Sequence, residues 1–456
     1  MKLFFINSFF CFLSIILVHI APEEYSYNFC VLLAGLFVLQ NFIFFVFRND
    51  SDIVCFEFFF MIAFGLTNFI YPIFYFQTNP DFSMFSLDFN YNIISKATSI
   101  AFLGYSFFLT GLSYFDNKKT EVKANKASIN LERTSLFIFK VTIIFFILYL
   151  LSGGHKALAS EYSGDGDQIA KGISPYFYMV FFSTSIILAF LMFNKEINKK
   201  YRLWFVCLVL IITLLFLGLG SRSLPLAIIL TAVVSYNNYR RKIPFLTVIA
   251  MIVIGAVFMT FITIARTTSI TDKSYIDNAM QNSEISSFWD FASDLVINNR
   301  NLYTLIDFAD SQSHTYGLTM LGGIMSPIPF LQSTFCKTFN VPTDFIGSAT
   351  FNTFLDLGPG ATWGLGTNLI SDVYLAFGII GVILFFFLLG MLLGKSKIAA
   401  PTNIYWNIFY FFLVSNAVYS VRSGFFDNFR YLIWALLIVG VYNYYLKRKM
   451  LIENEN

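Results

Sequence analysis

Apolar runs of about the length of a membrane span, broken by short polar turns, recur from one end of the chain to the other. They fall near 3–20, 29–47, 53–76, 93–114, 136–152, 174–193, 203–219, 223–239, 243–264, 366–393, 404–421 and 429–446. Each comes close to the roughly 20 residues a helix needs to cross a hydrocarbon layer about 30 Å thick. The runs lack the alternation of a membrane β-strand, so the pattern predicts an all-α integral membrane protein with about twelve transmembrane helices. After the first run, His19-Ile20-Ala21-Pro22 offers no small-x-small cleavage pattern, so that run reads as a span and not as a removed signal. Composition narrows the class further: only 12% of the 456 residues are charged and 57% are hydrophobic, which excludes a soluble or disordered chain.

The loops predict an orientation. With both termini inside, nineteen Lys and Arg fall in inner loops and five in short outer ones, as the positive-inside rule requires. One connection stands apart, because about 100 residues between Arg266 and Leu365 lie on the outer side, and a connection that long inside a compact protein is usually functional or disordered. Apolar and aromatic residues at helical spacing, with Pro and Gly punctuation, favour an ordered and mostly helical outer cap with short helices near 284–310. The expected organisation is therefore helices one to nine in 1–264, the cap in 265–365, and helices ten to twelve in 366–456.

Charge and chemistry change the picture mainly on the outer face. Inner loops use Lys twice as often as Arg, whereas the outer side keeps Arg222, Arg266, Arg300, Arg422 and Arg430. A planar guanidinium that grips phosphate or carboxylate at two points supplies a reason to retain cations there. Pairing with a nearby acid, or snorkelling to head groups, is the plainer alternative. Arg222 sits in Gly218-Leu219-Gly220-Ser221-Arg222-Ser223, a small-residue turn predicting a hairpin with its guanidinium at the outer tip, beside a helix N-terminus that favours anions. Arg266 ends the ninth run, and Arg422 and Arg430 bracket a short turn that also holds Asp427.

The amides around Arg300, in Asn298-Asn299-Arg300-Asn301, suit sugar hydroxyls or a solvated helix end equally well. Among eleven outer acids, Asp372 differs because it starts the tenth run, where a carboxylate is partly desolvated; it is either a general base or a helix N-terminal acid. His314 is the one histidine of the cap. Glu57 and Lys140 are the main charges read inside spans. The five cysteines have no metal spacing, no nucleotide loop or catalytic triad order is present, and no basic stripe points to nucleic acid. Neither a metal nor another cofactor is expected.

The layout of about twelve spans with one large late outer loop, the Gly220-Ser221-Arg222 turn, and Gly366-Thr367-Asn368-Leu369-Ile370-Ser371-Asp372-Val373-Tyr374-Leu375-Ala376-Phe377-Gly378-Ile379-Ile380-Gly381 resemble the Wzy-type O-antigen polymerases, the oligosaccharide repeat-unit polymerases. The resemblance implies a GT-C-like enzyme of the bacterial inner membrane with its large loop in the periplasm. It implies transfer of a growing glycan from undecaprenyl pyrophosphate to the non-reducing end of a lipid-linked repeat unit. Under it, Asp372, Arg222 and Arg266 become candidate catalytic residues, and Arg300, Arg422, Arg430, His314 and Asn368 candidate substrate contacts. Membrane lipid, a chain-length regulator and a flippase of the same pathway are the expected partners. O-antigen ligases carry His beside the Asn of this region, where this chain has Thr367 before Asn368, which leaves ligase as the alternative enzyme. A lipid-linked oligosaccharide flippase is the alternative from another class; scarce charges inside the spans and the large cap count against it.

Overall fold

The computed structural model describes residues 2–50, 52–116, 131–154, 172–218, 221–255, 293–361 and 363–455, and among these it contains helices and no strands. The first eight long helices are α1 (Lys2–His19), α2 (Tyr27–Phe47), α3 (Phe56–Ile70, extended by a wide turn over Tyr71–Tyr75), α4 (Ile93–Ser113), α5 (Leu131–Tyr149), α6 (Ser174–Leu191), α7 (Lys199–Gly218) and α8 (Ser223–Tyr239). The shorter α9 (Phe245–Gly255) follows. The cap contributes α10 (Asn298–Ser311), α11 (Leu331–Phe339) and α12 (Ser348–Leu357), and the chain closes with α13 (Leu369–Ala399), α14 (Ile404–Ser415) and α15 (Phe429–Glu455). Polar residues set several starts: Ser26, Asn368 and Asn403 each accept a hydrogen bond from a backbone N–H in the first turn of α2, α13 and α14.

Most apolar runs become helices close to their expected limits, whereas the 404–421 run is helical over Ile404–Ser415 and the 243–264 run is described only as far as Gly255. Nine helices among the described residues, α1 to α7, α13 and α15, are long and apolar enough to cross a membrane. The other three expected spans correspond to α8, to the described part of α9 and to α14, each under 18 residues among the described residues. The structure therefore supports a multi-pass helical membrane protein, with nine candidate spans of full length among the described residues.

The centre of the bundle is α4, which packs against α1, α2 and above all α13. Glycines make that crossing possible. A Cβ on Gly111 would lie 2.1 Å from the carbonyl oxygen of Phe387, and one on Gly390 would lie 2.0 Å from that of Phe108. Helix association in lipid gains little from hydrophobicity, so close backbone approach and interhelical hydrogen bonds carry it. The bonds are present as well: Asn7 donates to Ser113 at 2.7 Å, Gln40 to Asn7 at 3.1 Å and Ser106 to Gln40 at 3.0 Å, stitching α1, α2 and α4 together inside the apolar layer.

At the end of the bundle that the loop charges predict to be the inner one, opposite the predicted outer end, a charged network performs the same task. Lys397 on α13 donates to Glu57 at 2.9 Å and lies 3.1 Å from Asp50, while Asn237 on α8 donates to Asp52 at 2.7 Å. Burial pushes the Asp50 carboxyl up, but Lys397 and the backbone N–H of Asp52 outweigh that and hold it below its ordinary value. Glu57 is thus not a mid-span charge, as its sequence position suggested; it belongs to the first turn of α3 and is neutralised there.

Helix α13 is interrupted. Gly378 adopts φ 65 and ψ −157, a conformation essentially confined to glycine, and it separates a short outer segment from the long remainder. The carbonyl freed at Leu375 is satisfied by the backbone N–H of Thr315 at 2.8 Å, so the cap supplies the bond that the broken helix lacks. The described part of the cap also differs from a free-standing layer: α10 is sunk between the outer ends of α3, α4 and α13, with Leu302, Tyr303, Leu305 and Ile306 fully buried.

Because nothing lies within 4 Å of a Cβ placed on Gly35, that position serves as a reference for the α4–α13 contact. We expect Gly390→Ala to cost about 1–3 kcal/mol, the usual penalty for overpacking, and Gly35→Ala to be neutral or slightly stabilising. Thermal unfolding of the purified variants in one detergent checks the difference.

Candidate functional site

The outer segment of α13, residues 369–377, gathers most of the polar chemistry. Its start is held by buried amides. Asn368 accepts from the N–H of Ile370 at 2.9 Å and donates to Asn68 on α3 at 2.9 Å. Asn301 donates to Asn298 at 3.2 Å and to the carbonyl of Leu365 at 2.8 Å, and Asn352 on α12 donates to Asn301 at 2.9 Å. All five of these amides are buried. Unpaired amides there would cost free energy, so their mutual satisfaction fixes cap to bundle. The asparagines that suited sugar hydroxyls or a helix end by composition bond to one another and to the backbone, and Asn368 caps α13.

Arg300 shares that fate. Its side chain is 1% exposed, Nη1 donates to Asp356 at 2.5 Å, and Nη2 and Nε donate to the carbonyls of Asp88 and Leu87 at 3.2 and 3.4 Å. Three of its five N–H donors join α10 to α12 and to the loop before α4, and the buried side chain turns none of the others to the surface. In this arrangement it holds the protein together and presents nothing to a glycan.

Asp372 faces the turn between α14 and α15. Its carboxylate accepts the N–H of Phe425 at 2.7 Å and is 2% exposed. Asp427 folds back to accept the N–H of Gly424 at 2.7 Å, and together these bonds order the turn that Arg422 and Arg430 bracket. Asp372 therefore acts first as an anchor for this turn.

Arg422 is half-buried with its guanidinium 5.8 Å from the Tyr419 ring, and no acidic partner meets it among the described residues. Arg430 lies 4.8 Å from the Tyr431 ring and donates to its hydroxyl at 3.0 Å, while its Nε has no partner among the described residues. The two arginines keep donor capacity that Arg300 has lost. A cavity of about 50 Å³ lies beneath the same turn, lined by Ser420, Ser423, Gly424 and Asn428 among others. Arg222 is half-buried at the start of α8, at the tip of the α7–α8 connection as its turn predicted. Arg266 lies outside the described residues.

The opposite face of the segment carries a constellation that spacing did not reveal. Tyr374 donates to Asp310 on α10 at 2.7 Å, and Asp310 pairs at 2.7 Å with Lys96 in the first turn of α4. His314 packs edge-on against Tyr374, with ring centroids 5.7 Å apart, and lies beside the break at Gly378, with Nδ1 unpaired among the described residues. An ionisable residue inside an apolar run was the available signal for Lys96; a count restricted to loops passes over it.

Chemically, the outer end thus offers a carboxylate at the start of a broken helix, two arginines with uncommitted donors around an ordered turn, and a lysine–carboxylate–phenol chain. Such an end can bind an anionic group and orient a hydroxyl beside it. Among the described residues no cluster of His, Cys, Asp or Glu is arranged to hold a metal ion.

A family model described as O-antigen polysaccharide polymerase Wzy matches residues 2–454, nearly the whole chain. No curated protein and no solved structure matches it.

The arginines should separate into two kinds. Arg300→Ala leaves Asp356 and two carbonyls without their donor, and we expect it to destabilise the fold by roughly 3 kcal/mol, at the lower end of the range for breaking a buried pair. Arg422→Ala removes no ion pair among the described residues and should leave the unfolding temperature unchanged. Comparing their melting curves decides whether the division is correct.

Proposed function

The chain belongs to the O-antigen polysaccharide polymerase Wzy family, and from that premise we propose that it elongates a surface polysaccharide at the periplasmic face of the bacterial inner membrane, with both termini cytoplasmic. The family acts on lipid-linked oligosaccharide repeat units. In the proposed reaction the hydroxyl oxygen at the non-reducing end of one repeat unit attacks the anomeric carbon of a growing glycan. The bond from that carbon to undecaprenyl pyrophosphate breaks, the pyrophosphate leaves on its lipid, and the hydroxyl proton passes to a carboxylate. One glycosidic bond forms as one is lost.

The observation that carries this reading is the family match along residues 2–454. The outer turn supports it chemically. Arg422 and Arg430 retain the donors that a departing pyrophosphate needs, and positioned donors of this kind stabilise charge as it develops. Arg222 and Arg266 are proposed as further contacts to the pyrophosphate or glycan. Asp372 is proposed as the base, and to act it must exchange its bond to Phe425 for one to the acceptor hydroxyl. Asn368 and Arg300 are proposed only as supports of this end.

Gel profiling of surface polysaccharide in a deletion strain tests the reading. Loss of the gene should leave lipid core carrying one repeat unit. Wild type should restore the ladder, whereas Arg422→Ala and Arg222→Ala should fail to restore it at normal membrane levels. Core with no repeat unit at all would place the protein before polymerisation or at ligation and overturn the assignment.

A further inference from the structure

A groove of about 600 Å³ runs between α1, α4 and α13, and none of the residues lining it belongs to the turn that Asp372 anchors. Its wall is apolar, formed by Ile15, Val18, Leu103, Ile379 and Ile383. Its outer mouth is polar, with Lys96, Asn92, His19 and Glu23 around it. This change of character along one cleft matches an amphiphile with a long hydrocarbon tail and a hydrogen-bond-accepting head.

Lys96 makes the head anionic. A cation at the outer end of a span opposes the usual charge bias of membrane proteins. This one is held in place by Asp310 at 2.7 Å, yet its side chain remains 38% exposed. An ammonium has three donors, and Asp310 takes one at this distance, which leaves others for a phosphate oxygen without breaking the pair. The Asp310 carboxylate is fixed in turn by Tyr374 on the outer segment of α13. A head group on Lys96 would therefore sit against the same short segment whose other face carries Asp372.

We propose that this groove holds the polyprenyl pyrophosphate of a lipid-linked oligosaccharide, its chain along the apolar wall, its pyrophosphate on Lys96 and its first sugar toward Glu23. Asp310 is a positioning residue for Lys96. The proposal rests on the polymerase reading and adds to it a location for one of the two lipids. Continuity with the outer segment of α13 favours this occupant over an ordinary phospholipid, whose head group would gain nothing from that proximity.

Binding of sugar-free undecaprenyl pyrophosphate to the purified full chain, followed by native mass spectrometry in detergent, tests it. Lys96→Gln should weaken binding at least tenfold, and Ile15→Trp, which narrows the cleft from the exposed α1 side, should do the same. Lys140→Gln, on the exposed face of α5, should bind as wild type does. Melting curves close to wild type establish that each variant is folded. Unchanged binding by both Lys96→Gln and Ile15→Trp would overturn the groove assignment and leave the polymerase reading standing. Displacement of the probe by an equal concentration of phosphatidylglycerol would make the cleft a bulk-lipid site and overturn it too. Failure of wild type to retain the probe would count against both.

Discussion

The contact of backbone on backbone between α4 and α13 is the constraint from which the outer end takes its shape. Gly111 and Gly390 bring the two helices closer than any side chain would allow, and the residues of interest are carried on this pair. Lys96 stands at the outer end of α4, and Asn368, Asp372 and Tyr374 at the outer end of α13. In lipid, where apolar side chains gain nothing by leaving one apolar neighbour for another, such an approach and the polar stitching around it are what hold helices in register. The break at Gly378 then lets the outer segment meet the cap while the long segment remains against α4.

Polar groups in an apolar setting must find partners, and that requirement divides the residues of the outer end into two sets. Asn68, Asn298, Asn301, Asn352, Asn368 and Arg300 satisfy one another or the backbone, and they lock the cap to the bundle. Arg422, Arg430 and Lys96 keep donors in reserve. Rigid support on one side and uncommitted cations on the other is the arrangement expected where charge must be met without reorganisation. The inner network lacks this second quality, because Lys397 is shared between Asp50 and Glu57 and Lys242 pairs with Asp52, and it fits a role in holding helix ends together.

The architecture was largely legible in the sequence, because a membrane span is written in one dimension as a long apolar run, and runs such as 93–114 and 174–193 became α4 and α6 almost residue for residue. The shortness of α14, within an expected span of 404–421, was hidden because Ala417, Val418, Tyr419 and Val421 continue the apolar run, yet the chain there forms a turn followed by a 3-10 helix over Tyr419–Arg422. The candidate site was legible as a set of residue types and much less as a set of roles. The amides around Arg300 suited sugar hydroxyls or a solvated helix end equally well, because composition cannot say that Asn352, Leu365 and Asp356 will face Asn301 and Arg300 from distant parts of the chain. Lys96 carried a signal, as an ionisable residue inside an apolar run, but its partner did not, because only the packing of α10 between α4 and α13 brings Asp310 to it. Arg222 stands directly before α8, a position that depends on neighbouring residues alone and so can be read from a local turn sequence.

The most direct test of the central claim is reconstitution. Purified full-length protein in liposomes would be given a synthetic undecaprenyl-pyrophosphate-linked repeat unit, and the products resolved by mass spectrometry. Polymerisation predicts a series of lipids carrying two, three and more repeat units, with one undecaprenyl pyrophosphate released for every unit added. Folded protein that leaves only single-repeat lipids, or that moves them across the bilayer without lengthening them, would contradict the account.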